Sequence, residues 1–169
     1  MKQLYAYDFD KTLIPYDSFR RYLWNLMRYK PFEVCFLLLL RKLRIVSSCK
    51  LKERISKIVE SSDALQQDAK LFAESIKKDI CWHNKHDEAT ILIITASPMV
   101  YMKYITSDLP YEILCSDYID GQYIEMYGHT KAIYLHRYYP TSQYIYTYAI
   151  SDSESDICWM QEFNKYEIF

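Results

Sequence analysis

Glycine is scarce. The chain of 169 residues has only two, one in the turn signal Asp120-Gly121 and one opening the segment Gly128-His-Thr-Lys131. Long apolar runs are also missing, since the stretch ending at Leu37-Leu-Leu-Leu40 is well short of the ~20 residues a membrane-spanning helix needs, which argues against a transmembrane anchor. The N-terminal MKQLYAYDFDKTL carries one basic residue and no long apolar core before it meets carboxylates, so it does not read as a secretory signal and implies a cytoplasmic location. The five cysteines are odd in number and widely spaced, with no CxxC pair or Cys/His cluster; this excludes a zinc site of ordinary spacing and suggests reduced, mostly buried thiols. An excess of either charge is absent too: 21 Lys and Arg face 22 Asp and Glu, and the net charge of -1 gives no pull toward nucleic acid.

What is present is globular. Hydrophobic residues make up 50% of the chain, and the length suits one compact α/β core with at most a modest insertion. The eighteen tyrosines, concentrated in the second half, read as architecture, with rings buried and hydroxyls at polar edges.

Leu4 to Phe9 reads as a short buried strand that stops at the polar cluster Asp8, Asp10, Lys11, Thr12. Helical spacing follows from Asp17 to Tyr29, from Pro31 to Leu40, from Lys50 to Val59 and, capped by Asp63, from Ala64 to Cys81. The rhythm changes at Ile91-Leu-Ile-Ile94, a β-branched run of the kind buried on both faces of a parallel sheet, after which Ser97 and Pro98 are expected to open a helix. A strand is predicted at Tyr111 to Cys115, a hairpin from Tyr118 to Tyr127, a helix from Thr130 to Tyr138, and a strand from Tyr144 to Ile150 that ends in Asp152 and Asp156 before a short helix toward Phe163. Such alternation predicts an α/β fold with a doubly wound parallel sheet, whose ligands sit outside the carboxyl ends of the strands.

Every polar cluster falls at that edge. Asp8 and Asp10, two apart at a strand end, crowd two carboxylates into one space, and Mg²⁺ is a suitable remedy because it takes hard oxygen ligands and keeps water and phosphate in its shell. Asp152 and Asp156 complete an acidic pocket. A pocket that takes a phosphate dianion also needs cations and donors, and Thr95, the amides of a helix beginning at Ala96 to Met99, and Lys131 supply them. Taken singly, each residue is as well explained by a cap, a turn or a solvated surface; their joint placement at strand ends is not.

The ordered set Asp8-Phe-Asp-Lys-Thr12-Leu, Ile-Ile-Thr95-Ala-Ser-Pro, Gly128-His-Thr-Lys131 and Ser151-Asp152-Ser-Glu-Ser-Asp156 resembles the four motifs of the haloacid dehalogenase superfamily, over nearly the whole chain. It is most similar to the phosphoserine-phosphatase-like branch, whose helical cap is inserted after the first motif. The resemblance implies a Rossmann-like core over residues 1–13 and 86–169, an all-helical cap over 14–85 that closes about hinges near Pro15 and Lys85, and a Mg²⁺-dependent phosphatase. It implies that Asp8 attacks phosphorus to form an aspartyl-phosphate, that Asp10 protonates the leaving oxygen and then activates water, and that Asp8, Asp152 and the main-chain carbonyl of Asp10 hold the metal. Thr95, Ala96 and Lys131 would bind the phosphoryl oxygens, with Asp156 and Thr12 supporting them from behind. Ser151 stands where many members have Gly, and Lys11 replaces the commoner Gly of the first motif. With only thirteen residues beyond Asp156, the last strand of the family sheet is expected to be trimmed or absent.

The layout also resembles phosphatidylglycerophosphatases of the haloacid dehalogenase type, which implies a lipid phosphate as substrate, with a soluble metabolite such as phosphoserine as the alternative. For phosphoserine the acidic residue expected after the first motif is present only as Asp17, and Arg54 is the candidate partner for its carboxylate. A non-catalytic domain binding phosphate or a partner through the same pocket ranks below both. The Leu-rich helix with its basic flank, Arg41, Lys42 and Arg44, has two readings: an interfacial helix in peripheral contact with an anionic membrane, or a helix buried within the cap.

Overall fold

A computed structural model describes residues 1–81, 89–107 and 110–169. Six strands form one sheet in the order β4-β3-β2-β1-β5-β6: β1 (Lys2–Tyr7), β2 (Thr90–Pro98), β3 (Tyr111–Ile119), β4 (Gln122–Ile124), β5 (Tyr144–Ser151) and β6 (Lys165–Ile168). All neighbours run parallel except the β3–β4 hairpin. Its turn places Asp120 and Gly121 at φ 52° and 79°, the left-handed pair that a tight two-residue hairpin demands. The strand order reverses on either side of β1, so the crevice at its carboxyl end is the topological switch point where α/β sheets bind ligands.

Strand alternation divides the core in two. Tyr7, Ile91 and Ile93 face one buried cluster, while Leu4, Ala6, Leu92 and Ile94 face the other. The second cluster is closed by α6 (His129–Tyr138) and α7 (Ile157–Met160), with Tyr146 stacked on Phe163 and Trp159 edge-on to that ring. The first is closed by α5 (Met99–Thr106) together with four helices that lie between β1 and β2 in sequence: α1 (Ser18–Leu26), α2 (Pro31–Lys42), α3 (Ser48–Glu60) and α4 (Asp63–Lys77). The rings of Tyr22 in α1, Phe72 in α4 and Tyr101 in α5 meet with centroids 5.0 to 5.3 Å apart. The helical insertion is thus packed into the same apolar mass as the sheet.

Several expectations are corrected. β6 is present and pairs in parallel with β5, because four residues suffice to extend the ladder beyond Tyr148 to Ser151. Ser97 and Pro98 do not open a helix as cap and first residue; the strand continues to Pro98 and α5 begins at Met99, because the Ser97 side chain is drawn elsewhere. Asp63 is the first residue of α4 rather than its cap, and that helix stops at Lys77 instead of reaching Cys81. The predicted strand at Tyr111 and the first arm of the hairpin are one continuous strand, β3. The hinge expected near Lys85 lies outside the described residues. All five cysteines are free, but they are not mostly buried: Cys115 is buried, Cys49 and Cys158 are half-buried, and Cys35 and Cys81 are exposed.

Candidate active site

A cavity of about 560 Å³ opens at the carboxyl end of the sheet. Asp8, Asp10, Thr95, Ala96, Lys131, Asp152 and Asp156 all line it, so four motifs far apart in sequence converge on one space. Thr12 is buried nearby but does not line the cavity, and its Oγ1 has no partner among the described residues.

Asp8 follows β1 directly, and its amide extends the ladder to the carbonyl of Ile150 at 2.9 Å, which ties it to the end of β5. Lys131, buried in the first turn of α6, donates to Asp8 Oδ1 at 2.7 Å and to Asp156 Oδ2 at 2.6 Å. Ser151 Oγ also donates to Asp156 Oδ2, at 2.7 Å, so the serine that replaces glycine in this motif fixes the lysine's second partner. Burial pulls the Lys131 ammonium down, but Asp8 and Asp156 outweigh it and hold it above its ordinary value. For Asp8 burial is the larger effect, and despite Lys131 it pushes the carboxyl up to about 7.

Asp10 is held differently. The amide of Ser18 donates to Oδ1 at 2.6 Å and the hydroxyl of Ser97 donates to Oδ2 at 2.6 Å. Ser18 Oγ lies 2.9 Å from both Ser97 Oγ and Tyr101 OH. With Asp10 ionised the protons can only run one way, from Tyr101 to Ser18 to Ser97 to the carboxylate, because burial raises the Tyr101 phenol well above its ordinary value and keeps it a donor. Burial raises Asp10, with these hydrogen bonds acting against it. Sequence reasoning missed Ser18 and Ser97 as site residues, the latter by assigning it to a helix cap.

Thr95 Oγ1 accepts from the Ser97 amide at 3.1 Å, which leaves its own proton to donate into the cavity. The expected helix N-terminus at Ala96 to Met99 is not there, since Ala96 belongs to β2 and Pro98 has no N–H. Instead the Ala96 carbonyl accepts from Lys52 Nζ at 2.8 Å and from Ser116 Oγ at 2.7 Å, which pins that peptide at the cavity wall. Lys52, from α3 of the insertion, also meets Glu125 Oε1 at 2.7 Å, where Ser48 Oγ donates too. Arg54 points away and lines a separate groove, so the proposed carboxylate partner for phosphoserine is not in the cavity. Asp17 lines it, but its carboxylate caps α1 by accepting from the Arg20 amide at 2.8 Å.

The metal question turns on the donors. Among the described residues no three His, Cys, Asp or Glu side chains close into a ready cage. Mg²⁺ does not require one, being held by one or two carboxylates plus phosphate and water. Asp8 gives only Oδ1 to Lys131, and Asp152 makes a long, partly exposed pair with Lys11 at 3.8 Å, so both carboxylates keep oxygen lone pairs for a hard cation. The donor set fits.

The family model of haloacid dehalogenase-like hydrolases matches residues 6–161, spanning all four motifs. The chain belongs to that family. Among solved structures, the hydrolase is similar to a protein of unknown function from Bordetella pertussis Tohama I, at 15% identity over 98% of this chain and 89% of that one, with a TM-score of 0.67. It is also similar to a substrate-bound phosphoserine phosphatase, at 15% identity over 98% and 85% with a TM-score of 0.55. A phosphoserine phosphohydrolase-like protein from Francisella tularensis matches at 17% identity over 98% and 86%, with a TM-score of 0.52. These likenesses are of fold. No curated protein sequence matches the hydrolase.

Proposed function

We propose that this hydrolase is a Mg²⁺-dependent phosphatase that passes the phosphoryl group of a monoester through Asp8 to water. The supporting observation is the division of labour between a buried carboxylate, Asp8, and a half-buried one, Asp10. Asp8 has one oxygen fixed by Lys131 and the other without a partner among the described residues, the posture of a nucleophile, while Asp10 is positioned beside it by Ser18 and Ser97, where it can exchange a proton.

In the first step Asp8 Oδ2 bonds to phosphorus in line as the ester oxygen departs, and Asp10, which enters this step protonated, gives that oxygen its proton and is left as the carboxylate that Ser18 and Ser97 hold. In the second step Asp10 takes a proton from water, which attacks the aspartyl-phosphate and releases phosphate and free Asp8. Lys131 stays charged throughout and, with the Thr95 hydroxyl and the Ala96 amide, neutralises the equatorial oxygens. Asp8, Asp152 and the Asp10 carbonyl would hold Mg²⁺, which supplies charge neutralisation at the phosphoryl group and lowers the proton affinity of Asp8. Asp156 supports this set from behind through Lys131.

For the substrate we favour a phosphate on an amphipathic or lipid body, with the enzyme cytoplasmic and peripheral to the membrane. Lys52 is committed to Glu125 and Arg54 is outside, so the cavity offers no dedicated pair for an amino acid's carboxylate and amine. Arg41 is its free cation among the described residues. Phosphoserine remains the second reading because solved phosphoserine phosphatases share the fold. Hydrolysis of p-nitrophenyl phosphate should require Mg²⁺, stop on chelation, and vanish in Asp8→Asn; a non-catalytic domain would show no Mg²⁺-dependent turnover at all. A panel of phosphatidylglycerophosphate, short-chain phosphatidate and phosphoserine then decides the substrate, and preference for phosphoserine would overturn the lipid reading.

A further inference from the structure

Helix α2 is apolar on the side that the fold does not use. Val34 and Leu37 are buried beneath it, yet Phe32, Phe36, Leu39 and Leu43, recurring every three or four residues along the opposite face, are 88, 58, 53 and 59% exposed. Trp24 in α1, Tyr29 just before α2 and Ile45 just after it are also exposed. A stripe of this size on a soluble face calls for a partner. Its rim is basic: Arg28, Lys42 and Arg44 have no acidic partner among the described residues, while Lys30 pairs with Glu33 at 3.2 Å, in a chain whose net charge is -1. Beside the stripe, Phe36 and Leu37 wall a groove of about 480 Å³ whose other wall carries Arg54 together with Lys50 and Lys57, both paired with Glu53 at 2.6 and 2.9 Å.

We infer that this face docks on an anionic lipid bilayer, with the aromatic and leucine side chains sunk into the headgroup boundary and the basic rim on the phosphates. The charge decides between occupants. A second copy of this chain would set one basic rim against another, whereas an anionic bilayer complements the rim and takes a convex apolar stripe without needing a matching groove. Among the described residues no helix is long and apolar enough to cross a membrane, so the contact is one of surface adsorption. The inference goes beyond the proposed chemistry, since it concerns the outer face of α2; Arg41, on the inner side of the same helix, lines the catalytic cavity and so brings that cavity close to the lipid plane.

The test is co-sedimentation with phosphatidylcholine vesicles containing about one-third phosphatidylglycerol, compared with phosphatidylcholine alone. Wild-type protein should bind the anionic vesicles, lose binding in high salt, and bind the neutral ones poorly. Phe32→Ser with Phe36→Ser, and separately Lys42→Glu with Arg44→Glu, should each weaken binding about tenfold or more. The phenylalanine variant should keep the wild-type rate on p-nitrophenyl phosphate, so a failure of docking and a failure of the chemistry are read separately. Absence of binding to anionic vesicles, or variants that bind like wild type, would overturn the inference. So would a concentration-dependent dimer that the phenylalanine variant dissolves, because the stripe would then belong to a second copy.

Discussion

Asp8 carries the most consequential charge in the molecule. Its carboxyl is raised to about 7 from an ordinary value near 4, with burial the first cause. The folded state therefore binds a proton that the unfolded state has released between those values, and stability falls as pH rises through that window. The full effect is on the order of 4 kcal/mol. Chelator-treated wild-type protein should thus melt lower at pH 7.5 than at pH 5 relative to Asp8→Asn, whose neutral amide has no charge to bury; adding Mg²⁺ should narrow the gap. A variant that melts below wild type at pH 7.5 without metal would show that the Lys131 pair outweighs the desolvation. At this scale the sequence was legible where chemistry dictates residue type. The motif acids, Thr95 and Lys131 converge as the pattern implied. Ser18 and Ser97 were not legible, because a serine hydroxyl is equally at home as a cap, and only tertiary geometry shows that it faces Asp10.

Three elements meet at Asp10: α1 brings Ser18, the end of β2 brings Ser97, and α5 brings Tyr101. Ser97→Ala breaks this relay in the middle. Hydrolysis of an alkyl phosphate, whose leaving oxygen needs a proton, should slow by about tenfold or more, while p-nitrophenyl phosphate, with its good leaving group, should suffer less. Equal loss on both substrates would show that Ser97 is structural only. The same elements show why boundaries were harder to read than existence. The Ser97-Pro98 pair has the composition of a helix start, and β2 overran it because the Ser97 amide and hydroxyl found partners in Thr95 and Asp10. β6 was hidden for a similar reason: Lys165–Ile168 is exposed throughout and has no apolar run to announce it, so only pairing with β5 defines it.

Across the whole molecule the insertion and the sheet share one buried cluster, which leaves little room for a lid that swings as a separate body. Circular dichroism in the far and near ultraviolet should report a single coincident thermal transition, and Phe72→Ala should lower it by about 3 to 5 kcal/mol in stability because its ring abuts both Tyr22 and Tyr101. Separate melting of the helical insertion would contradict the shared core. The doubly wound architecture was legible from the alternation of strands and helices. The merger of the insertion with the sheet was not, because an amphipathic helix shows that it has an apolar face without showing which surface it covers.

Tyr101 belongs at once to that cluster and to the chain of hydroxyls leading to Asp10. Any substitution there that removes the ring disturbs the acid and the fold together, so positions of this kind leave selection little freedom. Adaptation toward new substrates is left to residues that border the cavity without anchoring the interior, such as Arg41 and Tyr127. The enzyme's repertoire can therefore drift at its rim while its centre stays fixed.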